Sequence, residues 1–207
     1  MPPTRTKRST SYKRLARAQL PLDTVSLAQS LIGKIVVRET TEGLVSGRIV
    51  ETEAYPVGDP AGHAYRGMTT RNRSLFLGPG HAYVYMIYGS SYMLNVASEI
   101  AGVGAGVLIR ALAPMEGISI MERNRGSENA HQLTRGPGRL AHALQIDRRL
   151  DGIDLCRAGP LWLACDDQQQ MDVGKSVRIG LSHGAELMLR FYLRGSRFVS
   201  GPSALNR

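Results

Sequence analysis

The sequence predicts one α+β domain: a mainly antiparallel, curved β-sheet with surrounding helices and a protruding β-hairpin. Three observations point there. β-Rich runs follow one another through short turns, helical periodicity is confined to brief stretches, and the chain shows neither a repeat nor a second composition regime. At 207 residues and 43% hydrophobic, with 23 Gly and 10 Pro, the chain can bury a substantial core, which excludes collagen-like and wholly disordered classes.

The elements follow in order. Residues 1–20 read as a flexible basic arm and residues 21–207 as the folded domain. Asp23 is placed to cap a helix in which Val25, Ala28, Leu31 and Ile32 recur at helical spacing, closed by Gly33. Lys34 to Arg38 and Leu44 to Tyr55 read as strands around a turn at Glu42-Gly43. Residues 56–81 form a long loop, a length usually reserved for function or mobility. Ala82 to Ala97 is aromatic-rich and interrupted only at Gly89-Ser90-Ser91, which predicts a hairpin with its tip near Tyr88. Val107 to Leu112 continues the sheet. Pro114 and Glu116 are expected to open a helix ending near Arg123, and Gly138 to Leu144 to form another. Short strands are expected at Leu161 to Ala164, Ser176 to Ile179, Arg190 to Leu193 and Phe198-Val199.

The net charge of +9 is unevenly placed. Arg5, Lys7, Arg8, Lys13, Arg14 and Arg17 fall in the first 22 residues with no acid among them, leaving twenty basic and seventeen acidic side chains for the remainder. A polyanion, nucleic acid first, is the natural partner; a solvated tail is the plain alternative, and a mitochondrial transit segment lacks its apolar face. No apolar run is long enough to span a bilayer, so no membrane partner is expected. Two cysteines, Cys156 and Cys165, supply neither a disulfide framework nor a zinc signature, and the default compartment is the reducing cytoplasm.

Some motifs are decoys. Gly174-Lys175-Ser176 imitates a phosphate-binding loop, but Gln169 stands where that motif needs glycine. Gly102, Gly104 and Gly106 are spaced one residue too tightly for a dinucleotide fingerprint. His142 and His183 stand alone, and a lone histidine reads as structural.

In GRIVETEAY, strand alternation puts Glu51, Glu53 and Tyr55 on one face. Carboxylates at i and i+2 lie about 6 to 7 Å apart, given a rise of roughly 3.3 Å per residue. Beside a tyrosine, and leading into a loop with Asp59 and His63, the pair reads either as a proton-handling site or as a solvated sheet face. The hairpin then concentrates Tyr83, Tyr85, Tyr88 and Tyr92 within ten residues. Core packing accounts for some of these, but a tip tyrosine is hard to bury, and planar rings stack on or wedge between bases. Arg71 and Arg73 of TTRNRS are candidate phosphate contacts.

With these residues the chain resembles the 3-methyladenine (alkyladenine) DNA glycosylase family, of bacterial type. The matching stretches are GRIVETEAY, TTRNRS, GPGHAYVYMIYG with Asn95, VLIRALAPMEG, GPGRLAHAL and RFYLRGS, in family order from about Leu20 to Ser200. The resemblance implies a monofunctional hydrolase; no metal or cofactor is expected, since no cluster has metal-ligand spacing, and a monomer is expected, since nothing suggests a dimer seam. Such an enzyme extrudes a damaged purine from double-stranded DNA at the nucleoid, cleaves its N-glycosidic bond and leaves an abasic site. The resemblance also implies that Glu53 activates the hydrolytic water, and that Arg110 and the backbone carbonyl of Ile179 help to hold that water. Tyr55, His63 and Tyr85 would form the base pocket, Asn95 its purine-screening floor, and Tyr88 the filler of the vacated stack. Glu51 receives no role and is left structural. Two positions depart from the family's usual pattern. Ser90 and Ser91 replace a methionine followed by an aromatic residue or histidine, which leaves intercalation to Tyr88, and Arg135 stands where bacterial members often have asparagine.

The chemistry is consistent with this. Extruding a base costs a few kcal/mol, and an alkylated, cationic purine is attracted to tyrosine faces by roughly 0.5 to 2 kcal/mol. A carboxylate can stabilise an oxocarbenium-like sugar and deliver water, as in glycoside hydrolysis, without a metal. No lysine occurs between Lys34 and Lys175, which argues against a Schiff-base lyase. The competing readings are a non-catalytic DNA-binding module and a metal-dependent hydrolase using Glu51, Glu53, Asp59 and His63.

Overall fold

The computed structural model describes residues 12–166 and 171–206. Among these residues, nine strands form one sheet: β1 (Lys13–Arg14), β2 (Ile35–Thr40), β3 (Gly43–Tyr55), β4 (Ala82–Ile87), β5 (Ser91–Ala97), β6 (Gly106–Glu116), β7 (Leu161–Cys165), β8 (Val173–Ser176) and β9 (Arg190–Leu193). Three α-helices accompany them there: α1 (Thr24–Leu31), α2 (Ile118–Arg125) and α3 (Pro137–Ala143). The main path runs β1-β7-β2-β3-β6-β5-β4, its pairings are antiparallel, and the sheet is open and curved. This is the α+β architecture expected from the sequence.

Strand β3 organises the molecule because it has two successive neighbours on one side. Its first half pairs with β2, from Ile35 opposite Arg48 to Thr40 opposite Gly43; its second half pairs with β9, with Glu51, Thr52 and Glu53 opposite Tyr192, Phe191 and Arg190. Along its other side runs β6, and there the register slips: Glu51 faces Ala111 while Thr52 faces Ile109, so Arg110 is the extra residue of a bulge. Bulges re-aim side chains next to active sites. On the helix side of β3, Ala54 joins the core and the Thr52 hydroxyl donates to the Ala28 carbonyl of α1 (2.9 Å). Leu27, Ala28 and Leu31 of α1 and Leu140 and Ala141 of α3 are buried in that core. Asp23 caps α1 by accepting the Ser26 N–H (2.8 Å), as its position predicts.

Four local expectations are corrected. Pro114 and Glu116 belong to the end of β6, not to a helix. Pro114 lies opposite Gly47 where the ladder shifts register, a place that tolerates a residue with no N–H, and α2 starts only at Ile118. Phe198-Val199 is not a strand; the Val199 N–H closes a turn onto the Ser196 carbonyl. The strand expected at Ser176 to Ile179 lies earlier, at Val173–Ser176. The arm does not extend to residue 20. Lys13 and Arg14 pair with Cys165 and Ala164, Leu15 and Leu20 are buried, Arg14 covers the Trp162 ring and Arg17 pairs with Asp154 (2.7 Å). Two leucines with apolar surface to hide override a basic composition. Residues 1–11 lie outside the described residues.

Candidate active site

Glu51 and Glu53 project from β3 on the face opposite α1, and neither has exposed surface. The bulge brings Arg110 between them: Nε donates to Glu51 Oε1 (3.0 Å), and Nη1 approaches Glu53 Oε2 at 3.2 Å. Glu53 Oε2 also accepts the Tyr55 hydroxyl (3.0 Å), and Oε1 accepts the Ile179 backbone N–H (2.8 Å). Burial would raise the Glu51 pKa, but Arg110 and Arg190 outweigh it and hold this carboxyl below the usual range. Burial would lower the Arg110 pKa; Glu53 and Glu51 reverse that. Burial and then the neighbouring Glu53 carboxylate push Tyr55 far up, so its hydroxyl remains a donor.

Tyr55 is also the bridge from this polar layer to a cavity of about 180 Å³ lined by His63, Tyr83, Tyr85, Asn95 and Leu75 among others. Tyr83 stacks on Tyr85 (centroids 5.3 Å apart, planes at 27°), and the His63 ring meets Tyr85 at 4.4 Å. His63 Nδ1 and the Tyr83 hydroxyl share a hydrogen bond of 2.9 Å. Asn95, at the cavity wall, donates from Nδ2 to the Tyr83 carbonyl (3.1 Å). Asn72 holds the loop in place by donating to the His63 and Gly67 carbonyls.

Outside the cavity, Tyr88 stands at the hairpin tip with 90% of its surface exposed. It also lines a larger, open groove of about 840 Å³ together with Arg125, Arg135 and Arg139. Arg71 reaches from the loop to the Met86 carbonyl (3.3 Å) and lies 5.8 Å from the Tyr85 ring centre, while Arg73 is exposed on a short 3-10 turn at Arg73–Phe76. Six of the residues singled out in the sequence therefore gather at one cavity or directly beneath it: Glu53, Arg110, Tyr55, His63, Tyr85 and Asn95. Tyr88, Arg71 and Arg73 lie on the surface around it.

A profile of the family described as Methylpurine-DNA glycosylase (MPG) matches residues 18–197. The chain belongs to the methylpurine-DNA glycosylase family. It is accordingly a DNA glycosylase, a hydrolase of N-glycosidic bonds. Similar proteins named "Putative 3-methyladenine DNA glycosylase" occur in Mesorhizobium japonicum (64% identical, covering 96% of this chain and 95% of the relative), Paraburkholderia phytofirmans (50%, covering 92% and 90%) and Rubrobacter xylanophilus (48%, covering 85% and 92%). No helix among the described residues is long and apolar enough to cross a membrane.

The four residues of the metal-hydrolase reading are not gathered. Glu51 is engaged by arginines, Asp59 by Arg178 and His63 by Tyr83. Sequence reasoning missed Arg178, which is buried, binds Asp59 through two nitrogens and lies 4.7 Å from the Tyr55 ring centre. Nothing local marks it, because its carboxylate partner Asp59 and the Ala54 carbonyl it also binds lie more than a hundred residues away. Arg190 likewise carries no local signal beyond opening the RFYLRGS stretch.

Proposed function

We propose that this glycosylase acts on alkylated or otherwise damaged purines in duplex DNA, turning the target nucleotide out of the helix and hydrolysing its glycosidic bond with water activated by Glu53. The observation that carries the reading is the contact between a buried carboxylate and an aromatic cavity through one residue, Tyr55. The cavity walls are tyrosine and histidine rings, suited to a flat base, and a cationic N-alkylpurine gains about 0.5 to 2 kcal/mol on such faces over a neutral one. Asn95 at the wall supplies a polar test of the base edge.

Glu53 carries the hydrolytic role. A carboxylate offers about four acceptor positions. Three are used, by Tyr55, Arg110 and Ile179 N–H, which fix the group and leave one for water. As the bond to the base lengthens, the carboxylate faces a sugar that gains positive charge, and it takes the proton of the attacking water. Arg110, beside Glu53 Oε2, and the Ile179 carbonyl, on the residue whose N–H holds Oε1, help to hold that water. Tyr88 fills the gap in the base stack, and Arg71 and Arg73 contact phosphates on the flanking strand. One chain carries all of these groups, in keeping with action as a monomer on chromosomal DNA.

The deciding experiment is Glu53→Gln, which retains size but removes the proton acceptor. Single-turnover base release from a duplex carrying one alkylated purine should fall by about 10²- to 10⁴-fold, with lesion-duplex affinity kept or improved because a negative charge is removed. Near-wild-type turnover would reject the mechanism.

A further inference from the structure

Both buried carboxylates of β3 turn to Arg110. One guanidinium between two unexposed acids would leave an uncompensated negative charge and could settle on either of them. Arg190, with no exposed surface itself, removes that competition. Although opposite Glu53 in the β3–β9 ladder, it donates from Nε to Glu51 Oε1 at 2.7 Å, completing a set of two acids and two arginines.

The rest of the Arg190 fork ends mainly on the last described stretch of the chain. Nη1 donates to Ser176 Oγ (2.7 Å) and the Leu205 carbonyl (3.1 Å); Nη2 donates to the Ser200 carbonyl (3.0 Å) and Asn206 Oδ1 (2.7 Å). Ser200 ties this fork to the acids: its N–H donates to Glu51 Oε2 (2.6 Å), and its hydroxyl lies 3.5 Å from Arg110 Nη2. Asn206 Nδ2 returns to the Ser200 carbonyl at 3.3 Å. Residues 200–206 lie beyond the 18–197 span of the family match.

We propose that Arg190, gripped by the segment Ser200–Asn206, is a positioning residue for catalysis: it holds Glu51, and Glu51 holds Arg110 in line with Glu53. The inference rests on the reading of Glu53 and Arg110 given above. A planar fork with four directed hydrogen bonds and an ion pair sets an orientation, which a lysine at the same place would set only in part. The C-terminal segment thereby becomes part of the site without touching substrate.

The test measures single-turnover base release at saturating lesion duplex, lesion-duplex affinity and melting temperature for Arg190→Gln, Arg190→Lys and Asn206→Ala, with Glu53→Gln in parallel. A misplacement of about 1 Å at a reacting group costs up to about 10²-fold. Arg190→Gln should therefore release base about 10- to 100-fold more slowly with affinity unchanged. Arg190→Lys should recover part of that rate, and Asn206→Ala should show a smaller decrease with the same split. If Arg190→Gln does not fold, Asn206→Ala decides, because it loosens the fork from the outer end without emptying the interior. A folded Asn206→Ala with the wild-type rate overturns the proposal, as does rate and affinity falling together in step with melting temperature. Failure of the underlying reading is seen separately, as a Glu53→Gln variant that keeps its rate.

Discussion

His63 shows how burial sets chemistry at a single residue. Burial, and then the Arg71 charge, hold its imidazole below the ordinary value of 6.5, so the ring is neutral at pH 7. Tyr83, its partner at 2.9 Å, is pushed up to about 12 by its own burial and keeps its hydroxyl proton, so two neutral groups share this hydrogen bond. A histidine whose folded pKa is lowered binds fewer protons when folded than when unfolded. The stability tied to its neutral state is therefore whole above pH 6.5 and declines as pH falls through the lower folded value. NMR titration should show the His63 ring changing charge below pH 6.5, and His63→Gln should flatten the acid side of the melting-temperature profile. A titration midpoint at or above 6.5 would contradict this account. The sequence marks His63 as a candidate by its place after a carboxylate-bearing strand and by the family resemblance; its tyrosine partner, twenty residues on, emerges from the fold.

The hairpin makes the argument at the level of one element. Tyr88 and Gly89 both have positive φ, 54° and 69°, and the Ser90 N–H closes on the Ile87 carbonyl at 3.3 Å. Such turns match the twist of their strands but favour Gly or Asn at both central positions, and a bulky residue there costs about 1 to 3 kcal/mol. A strained, exposed tyrosine thus stands at a position that glycine fits without strain, as the proposed wedge role requires. Tyr88→Gly should leave melting temperature unchanged or raised while slowing base release, most on well-stacked lesions and less on mispaired ones that flip easily. An unchanged rate on both kinds of duplex would remove the wedge role. This hairpin was legible because alternating aromatic and β-branched residues flank a glycine. The Glu51–Glu53 face was legible from alternation alone. The end of β6 was not, because Pro114 imitates a helix start when the bulge that accommodates it is invisible. Nor was the Arg110 bulge itself, since a register slip belongs to two strands and neither sequence shows it alone.

Across the whole molecule, charge and fold divide differently from the composition. Of the six basic residues before position 22, Lys13, Arg14 and Arg17 belong to a segment docked on β7 and on the Asp154 region, with Arg14 over a tryptophan and Arg17 in an ion pair. Their charge is partly engaged in holding the chain, and removing them would strip Leu15 and Leu20 from the core as well. That leaves Arg5, Lys7 and Arg8 as the basic residues ahead of the docked segment, with no acid near them in sequence. A cation cluster adjoining a DNA-binding domain raises affinity for any phosphate backbone without reading bases. Deleting residues 1–11, and no more, should therefore preserve the melting temperature and the single-turnover rate on saturating DNA. Binding to undamaged duplex should weaken, and the slope of log affinity against log salt should flatten by about 0.9 for each phosphate that the shortened chain no longer neutralises. Affinity measured across a salt series for the full chain and the deletion decides the matter. Parallel lines would show that these charges never meet DNA, whereas a fall in melting temperature would show that the docked segment begins earlier than Tyr12.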